Sequence, residues 1–270
     1  MVREKLLEKI FSYKLKNNHI QIVLLGFKLK FKRNFKSYFY KNKRIHILNE
    51  KSNIVSLFDE PDNDKANVII NLHGKNNQVT IKTLKGVEEN LVINIYGDDN
   101  IVSIGDKLWS RNLYITIGND GPCQGPCFAT QTIIGNDVSI EGLAINTYNS
   151  GSKVRIGDDC LFSTGISLYN TDGHPIYDKS SMKIINKVKT LEIGNHVWIG
   201  AYVTILKNVF IGNDNVIGWG SVVSKSFKES NVAIAGNPGK VVKRNITWKI
   251  NGVPDGYVLN KLDDEDVKND

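Results

Sequence analysis

Cysteine is scarce in this chain of 270 residues. The three present, Cys123, Cys127 and Cys160, are an odd count that forms no even disulfide framework, which fits a reducing compartment. Long hydrophobic runs are missing too: no apolar stretch approaches the roughly 20 residues that a membrane-spanning helix needs. Ile20–Phe27 is short and lacks the small-residue cleavage site of a secretory leader, so a cytoplasmic product is expected. Proline is rare, six residues against 23 glycines, so corners in this chain fall to glycine, which reaches positive φ without a Cβ clash. Acidic side chains are almost absent from residues 1–47, where thirteen Lys and Arg face only Glu4 and Glu8. That net +11 leaves −4 for the remainder of a chain whose total is +7. The basic character therefore belongs to one segment. It offers a contact for the inner face of an anionic membrane or for a polyanionic polymer, and equally a solvated basic face. No nucleic-acid-binding module accompanies it, so no nucleic-acid partner is expected.

What the sequence does have is a repeat. From residue 193 an aliphatic side chain falls at every sixth position: Ile193, Ile199, Ile205, Ile211, Ile217 and Val223. Four positions after several of these comes another small or β-branched residue, as in Val197, Val203, Val209 and Ser221. A period of six is neither the 3.6 of a helix nor the 2 of a plain strand. It is what short strands joined by tight corners produce, with three six-residue units closing one triangular coil around an apolar axis. Upstream the phase loosens. Gly-Asn, Gly-Asp and Gly-Lys steps at Gly74, Gly97, Gly118, Gly135 and Gly157 are spaced 23, 21, 17 and 22 residues apart, which reads as one 18-residue coil with small insertions. An antiparallel β-sandwich is the competing architecture, and a strict six-residue phase argues against it.

The expected fold is all-β, a parallel β-helix over residues 66–225, preceded by a small α/β cap over residues 1–65 and followed by a closing segment and acidic tail over 226–270. Within the cap, Val2–Tyr13 has an amphipathic helical pattern and Ile20–Lys32 alternates as strands. Asn231–Trp248 reads as a closing loop with a short strand or helix, and Leu262–Asp270 as acidic and disordered.

Three stretches then carry a resemblance: KVRIGDDCLFSTGISLYNTDGHPIYD from Lys153, LEIGNHVWIGAYVTILKNVFIGNDNVIGWGSVVSKSF from Leu191, and AIAGNPGKVVKR ending at Arg244. Residues 153–244 resemble the hexapeptide-repeat acyltransferases, in the branch of the maltose, galactoside and polysaccharide O-acetyltransferases. The resemblance implies a left-handed β-helix, acetyl-CoA as acyl donor, a carbohydrate acceptor, and homotrimers whose active sites are shared between subunits. It implies that His174, in the Gly-His-Pro segment, is the catalytic base, and that Trp198, in Trp-Ile-Gly, lies beside it. Asn146 falls where relatives carry an oxyanion-stabilising asparagine. Two positions depart from the family pattern: Trp219 stands where an alanine is common, and Ser224 where a threonine is.

The chemistry agrees with that assignment of His174. A sugar hydroxyl is a poor nucleophile until a base takes its proton, and a neutral imidazole, of ordinary pKa about 6.5, does this near neutral pH. Asp172, two residues earlier, either orients the imidazole or simply forms the turn, and the turn is favoured. An outward Trp198 asks to be covered, by ligand or by a neighbouring subunit. For a long anionic cosubstrate, Gly200, Ala201, Gly218, Ser221 and Ser224 offer small side chains and exposed backbone, with Trp219 as a stacking surface. Lys225 and Lys243 are charge partners for its phosphates or merely solubilising. Cys123 and Cys127 lack the second ligand pair that zinc requires, so no metal is expected. Two other functions compete with O-acetylation and its N-acylating variant. One is a β-helix carbonic anhydrase, which would need His73, His174 and His196 to converge on zinc. The other is a catalytically silent scaffold.

Overall fold

The computed structural model describes residues 45–49, 52–121 and 125–249 in full. Ahead of them it describes the backbone of the strands Phe11–Lys16, His19–Leu24, Phe27–Lys32 and Ser37–Phe39. Among the described residues every regular element is a strand, and the architecture is a left-handed parallel β-helix with three faces. Face one stacks Ile54–Leu57, Gln78–Ile81, Ile101–Ile104, Gln131–Ile134, Lys153–Ile156, Thr190–Ile193 and Phe210–Ile211 in parallel register. Faces two and three share long strands in the upstream coils. Gly86–Tyr96, Trp109–Ile117 and Ser139–Thr147 each run along face two, bend, and continue on face three. Downstream they separate: Leu161–Phe162, Trp198–Ile199 and Val216–Ile217 lie on face two, Ile166–Tyr169, Thr204–Leu206 and Val222–Val223 on face three. Parallel pairing from coil to coil on all three faces leaves no room for a sandwich.

The six-residue phase does what its chemistry requires. Ile193, Ile199, Ile205, Ile211, Ile217 and Val223 are all at most 1% exposed, as are Val197, Val203, Val209 and Ser221. Each aliphatic residue stacks on its equivalents one coil away, and burying such a side chain stabilises by about 1.5–3 kcal/mol. At the corner between faces one and two a polar ladder climbs the outside. Asn136 Oδ1 accepts from Asp106 N, Asp158 Oδ1 from Asn136 N, Asn195 Oδ1 from Asp158 N and Asn213 Oδ1 from Asn195 N, at 2.6 to 2.9 Å. Inside the corner between faces three and one a second ladder is buried, with Asn53, Asn77 and Asn100 each accepting from the backbone N–H one coil on, at 2.8 to 3.0 Å.

Three features depart from the sequence reading. The upstream glycines form two series, not one: a Cβ on Gly74 would meet Gly97 at the corner between faces three and one, while Gly105, Gly135, Gly157 and Gly194 stack between faces one and two. Parallel pairing also begins upstream of residue 66. Ile45–Asn49 runs parallel to Asn67–His73, and at the far end Val232–Ala235 still stacks on Val216–Ile217 before Lys240–Arg244 closes antiparallel to it. The N-terminal strands pair antiparallel with one another, and Tyr13 and Lys14 pair with Leu57 and Ser56, covering the open edge of face one. Of the helix expected over Val2–Tyr13, Phe11–Tyr13 is strand, because that exposed edge supplies hydrogen-bond partners. Residues 2–10 and the acidic stretch Leu262–Asp270 lie outside the described residues.

Candidate active site

The longest insertion in the stack comes just before the regular coils. Between Asp158 and Asn195 the corner ladder spans 37 residues, where the next step takes 18. The surplus leaves at the corner between faces three and one and forms the excursion that carries His174. Its root is the fully buried Asn170, whose N–H donates to Asn146 O at 3.0 Å and whose Nδ2 donates to Lys153 O at 3.0 Å. Thr171 Oγ1 then accepts from Gly173 N at 2.9 Å, and Gly173, at φ +75°, turns the chain so that His174 projects. Asn186 returns to clamp this turn. Its Nδ2 donates to Asp172 Oδ2 at 2.7 Å and to His174 O at 2.9 Å, while its Oδ1 accepts from Ile176 N at 2.8 Å. Lys207, from the coil below, sets its Nζ 2.9 Å from the same Asp172 oxygen.

His174 is exposed and lines a cleft of about 430 Å³ with Tyr148–Ser150, Asp172, Pro175, Ile184 and Asn186–Val188 around it. Asn146 lies directly in register with Tyr169 on face three, and its Oδ1 accepts from the Tyr148 hydroxyl at 3.1 Å. The fold thus brings Asn146 and His174 to one edge. Asp172 belongs to the turn, since Lys207 and Asn186 engage its carboxylate.

Trp198 sits elsewhere, on face two, 39% exposed, with the buried Trp248 tilted against it at 6.2 Å. Trp248 also stacks on His196 at 4.3 Å and donates through Nε1 to His196 O at 3.0 Å, so the closing segment covers part of this face. Gly200 and Gly218 follow on the corner between faces two and three, beside Trp219, which is 72% exposed and tilted against Tyr202 at 5.3 Å. Ala201 differs from its expected outward place. It is 1% exposed, because its carbonyl accepts from Gly220 N and the residue is drawn into the corner. Ser221 is likewise buried, its hydroxyl donating to Gly218 O at 2.6 Å. Ser224 and Lys225 are exposed at the next corner, Lys225 Nζ 5.6 Å above the Phe227 ring, whereas Lys243 is on the closing strand opposite Ala233. A second cleft, of about 600 Å³, lies among Lys225, Lys228, Lys240, Arg244 and the Phe227 and Val241 side chains.

The three histidines of the zinc alternative lie apart: His73 stacks on Tyr96, His196 on Trp248, and His174 stands in the excursion. Among the described residues no cluster of His, Cys, Asp or Glu has the arrangement of a metal site. Cys127 is buried, and Cys123 lies outside the described residues. Sequence reasoning missed Asn186, Lys207 and Tyr148. Tyr148 was within reach, two residues after Asn146. Asn186 and Lys207 carry no local signal, because their partners are set by the path of the excursion.

A model of bacterial transferase hexapeptide repeats matches residues 191–225. A polysialic acid O-acetyltransferase of Neisseria meningitidis is 37% identical over 155 residues, 55% of this chain and 70% of that protein. A polysialic acid O-acetyltransferase of Escherichia coli O1:K1 / APEC is 35% identical over 138 residues, so the chain matches 50% of itself to 44% of that longer relative. The crystal structure of the polySia-specific acetyltransferase NeuO superposes with a TM-score of 0.59 at 33% identity, covering 72% of this chain and 82% of the other.

Proposed function

The chain belongs to the hexapeptide-repeat acyltransferases, and from that premise we propose that it transfers an acetyl group from acetyl-CoA to a hydroxyl of a capsular-type surface polysaccharide. His174 takes the proton of the acceptor hydroxyl as that oxygen attacks the thioester carbonyl, and returns it to the departing thiolate. The Asn146 side-chain amide donates to the carbonyl oxygen as negative charge builds there. Asn186 and Lys207 hold the turn so that the imidazole is already in place when substrates arrive.

The donor needs a surface that admits a long, thin, anionic molecule. The Gly200 and Gly218 corner, with Trp219 and Tyr202 exposed beside it and Lys225 and Lys243 beyond, fits that description. Gly200, Gly218 and Trp219 sit on a different corner of the chain from His174. A complete site therefore joins His174 and Asn146 of one subunit to Trp198, Trp219 and the glycine corner of another, within a homotrimer. Among the described residues no helix is long and apolar enough to cross a membrane. We place the enzyme in the cytoplasm, with residues 1–47 contacting either a polyanionic acceptor or the anionic inner face of the membrane.

The observation that carries this reading is His174 in an open cleft, on a turn that Asn186 clamps through the His174 carbonyl. Labelled acetyl-CoA incubated with polysialic acid and with other surface polysaccharides tests it. Label should enter a polymer and be released by mild alkali, as esters are and amides are not, and His174→Ala should lower turnover by about 10²–10⁴-fold. Undiminished transfer by His174→Ala would sink the assignment.

A further inference from the structure

Among the described residues, the outer surface of face three carries no Asp, Glu, Lys or Arg upstream of the cleft. One column runs Asn71, Asn94, Thr116, Asn146 and Tyr169, in register from coil to coil. The column beside it runs Ile69, Val92, Tyr114, Ala144 and Ser167. Asn71 Nδ2 donates to Asn94 Oδ1 at 2.9 Å, and next to this the amides of Asn67, Asn90 and Asn112 form a ladder at 3.3 and 2.8 Å. Aromatic rings lie along the same surface: Tyr96 stacked on His73 at 4.6 Å, Tyr114 at 41% exposure and Tyr169 at 42%. Charge enters at the margin, where Arg111 pairs with Glu89 and Glu141 at the bend towards face two and Glu89 accepts from Asn112 Nδ2 at 3.2 Å.

Both columns run along the helix axis. Adjacent strands are about 4.8 Å apart, so the four steps from Asn71 to Tyr169 cover about 19 Å, the reach of several sugar residues. The strip ends at Asn146 and Tyr169, where Asn170, the root of the turn that carries His174, donates its N–H to Asn146 O at 3.0 Å. Amides and hydroxyls suit the hydroxyl groups of a glycan, and aromatic faces suit the C–H faces of its rings. A subunit contact at its core is rich in apolar side chains, whereas amides and hydroxyls dominate here. Among the described residues the Nδ2 groups of Asn94 and Asn146 have no protein acceptor, which leaves them as donors to a ligand.

We infer that the outer surface of face three from Asn71 to Tyr169 is an extended binding track for the acceptor glycan, which lies along the helix axis and leads to His174. The inference rests on the O-acetyltransferase reading for the identity of its occupant. It adds that the enzyme recognises a run of sugar residues, several of them distant from the acetylated one.

Calorimetric titration with polysialic acid and with a sialic acid trimer, in the absence of acetyl-CoA, tests this without turnover. Per mole of sugar residue the polymer should bind about tenfold more tightly than the trimer. Tyr114→Ala and Asn94→Ala should each cost about five- to tenfold in polymer affinity, the loss of one ring contact or one hydrogen bond, and leave trimer binding unchanged. The two substitutions are independent, so either alone decides. Equal binding of polymer and trimer overturns the track, as does unchanged polymer affinity in the variants. A fall in sedimenting mass of Tyr114→Ala also overturns it, since face three would then be a contact between copies. Length-dependent binding that the variants weaken, in a protein that transfers no acetyl group, upholds the track and overturns the transferase reading instead.

Discussion

Asn186 spends both ends of its amide on the turn around His174, donating to Asp172 and to the His174 carbonyl and accepting from Ile176. In the proposed mechanism it is a positioning residue. Asn186→Ala should lower kcat by about ten- to a hundredfold, because small displacements of a catalytic group are costly, while KM for acetyl-CoA stays unchanged. Asn186→Asp should fare no better, since it loses both donors and faces the Asp172 carboxylate. The excursion is exposed, so the melting temperature should move by no more than about 2 °C in either variant. A drop in melting temperature with kcat intact would make Asn186 a merely structural residue. The cysteines make an opposite case. Burial pushes the Cys160 thiol up to about 12 and the Cys127 thiol up to about 11. Only the thiolate reacts, so at pH 8 the native protein should leave both unalkylated by iodoacetamide, and denatured protein should label both. Peptide mapping that finds native Cys160 modified would contradict its buried place.

The element that limits this fold is its corner. At Gly157 an added Cβ would lie 2.3 Å from Asn195 Oδ1 and 2.6 Å from the Gly194 carbonyl carbon, so coils could not stack at their spacing. Gly157→Ala should destabilise by about 2 kcal/mol or more, which thermal melting reads as a fall of about 4–8 °C. Gly151, at a turn with nothing within 4 Å of an added Cβ, is the control; Gly151→Ala should cost only the strain of its positive φ, about 1 kcal/mol. Corners also decide how much of the fold is legible in the sequence. From Ile193 to Val223 successive coils are 18 residues apart, so the inward positions keep one phase and can be counted. Upstream the same corner recurs at 30, 22 and 37 residues. Insertions there do not disturb the stack, because they leave it at corners, yet they erase the phase on which periodicity depends. That is why glycines of two corners merge into one apparent series, and why the coils from Ile45 escape notice. The site divides along similar lines. Gly173 and His174 are legible as a turn that presents an imidazole. The clamp by Asn186 and Lys207 is not, since it exists only once the excursion folds back on the coil beneath.

At the scale of the whole molecule, stacking makes each coil depend on its neighbours, and one chain holds the two halves of the proposed chemistry on different corners. His174 and Asn146 stand at the edge between faces three and one, Trp198 on face two, and Gly200 and Trp219 at the corner that follows it. The proposed trimer, with its shared sites, resolves that separation, and it makes a prediction that a self-sufficient subunit does not. His174→Ala and Trp198→Ala should each be nearly inactive alone. Co-expressed in equal amounts, they form mixed trimers in which some sites take His174 from one subunit and Trp198 from the next. With random assembly about one quarter of sites receive both intact side chains, so about a quarter of wild-type turnover should return. The mixture purified from separate cultures, without subunit exchange, should remain inactive. If each chain built its whole site from its own residues, every chain in the mixture would carry one defect and co-expression would restore nothing. A sedimentation experiment on the same material supplies the second arm, because a monomer at the assay concentration leaves Trp198 and His174 with no partner through which to meet.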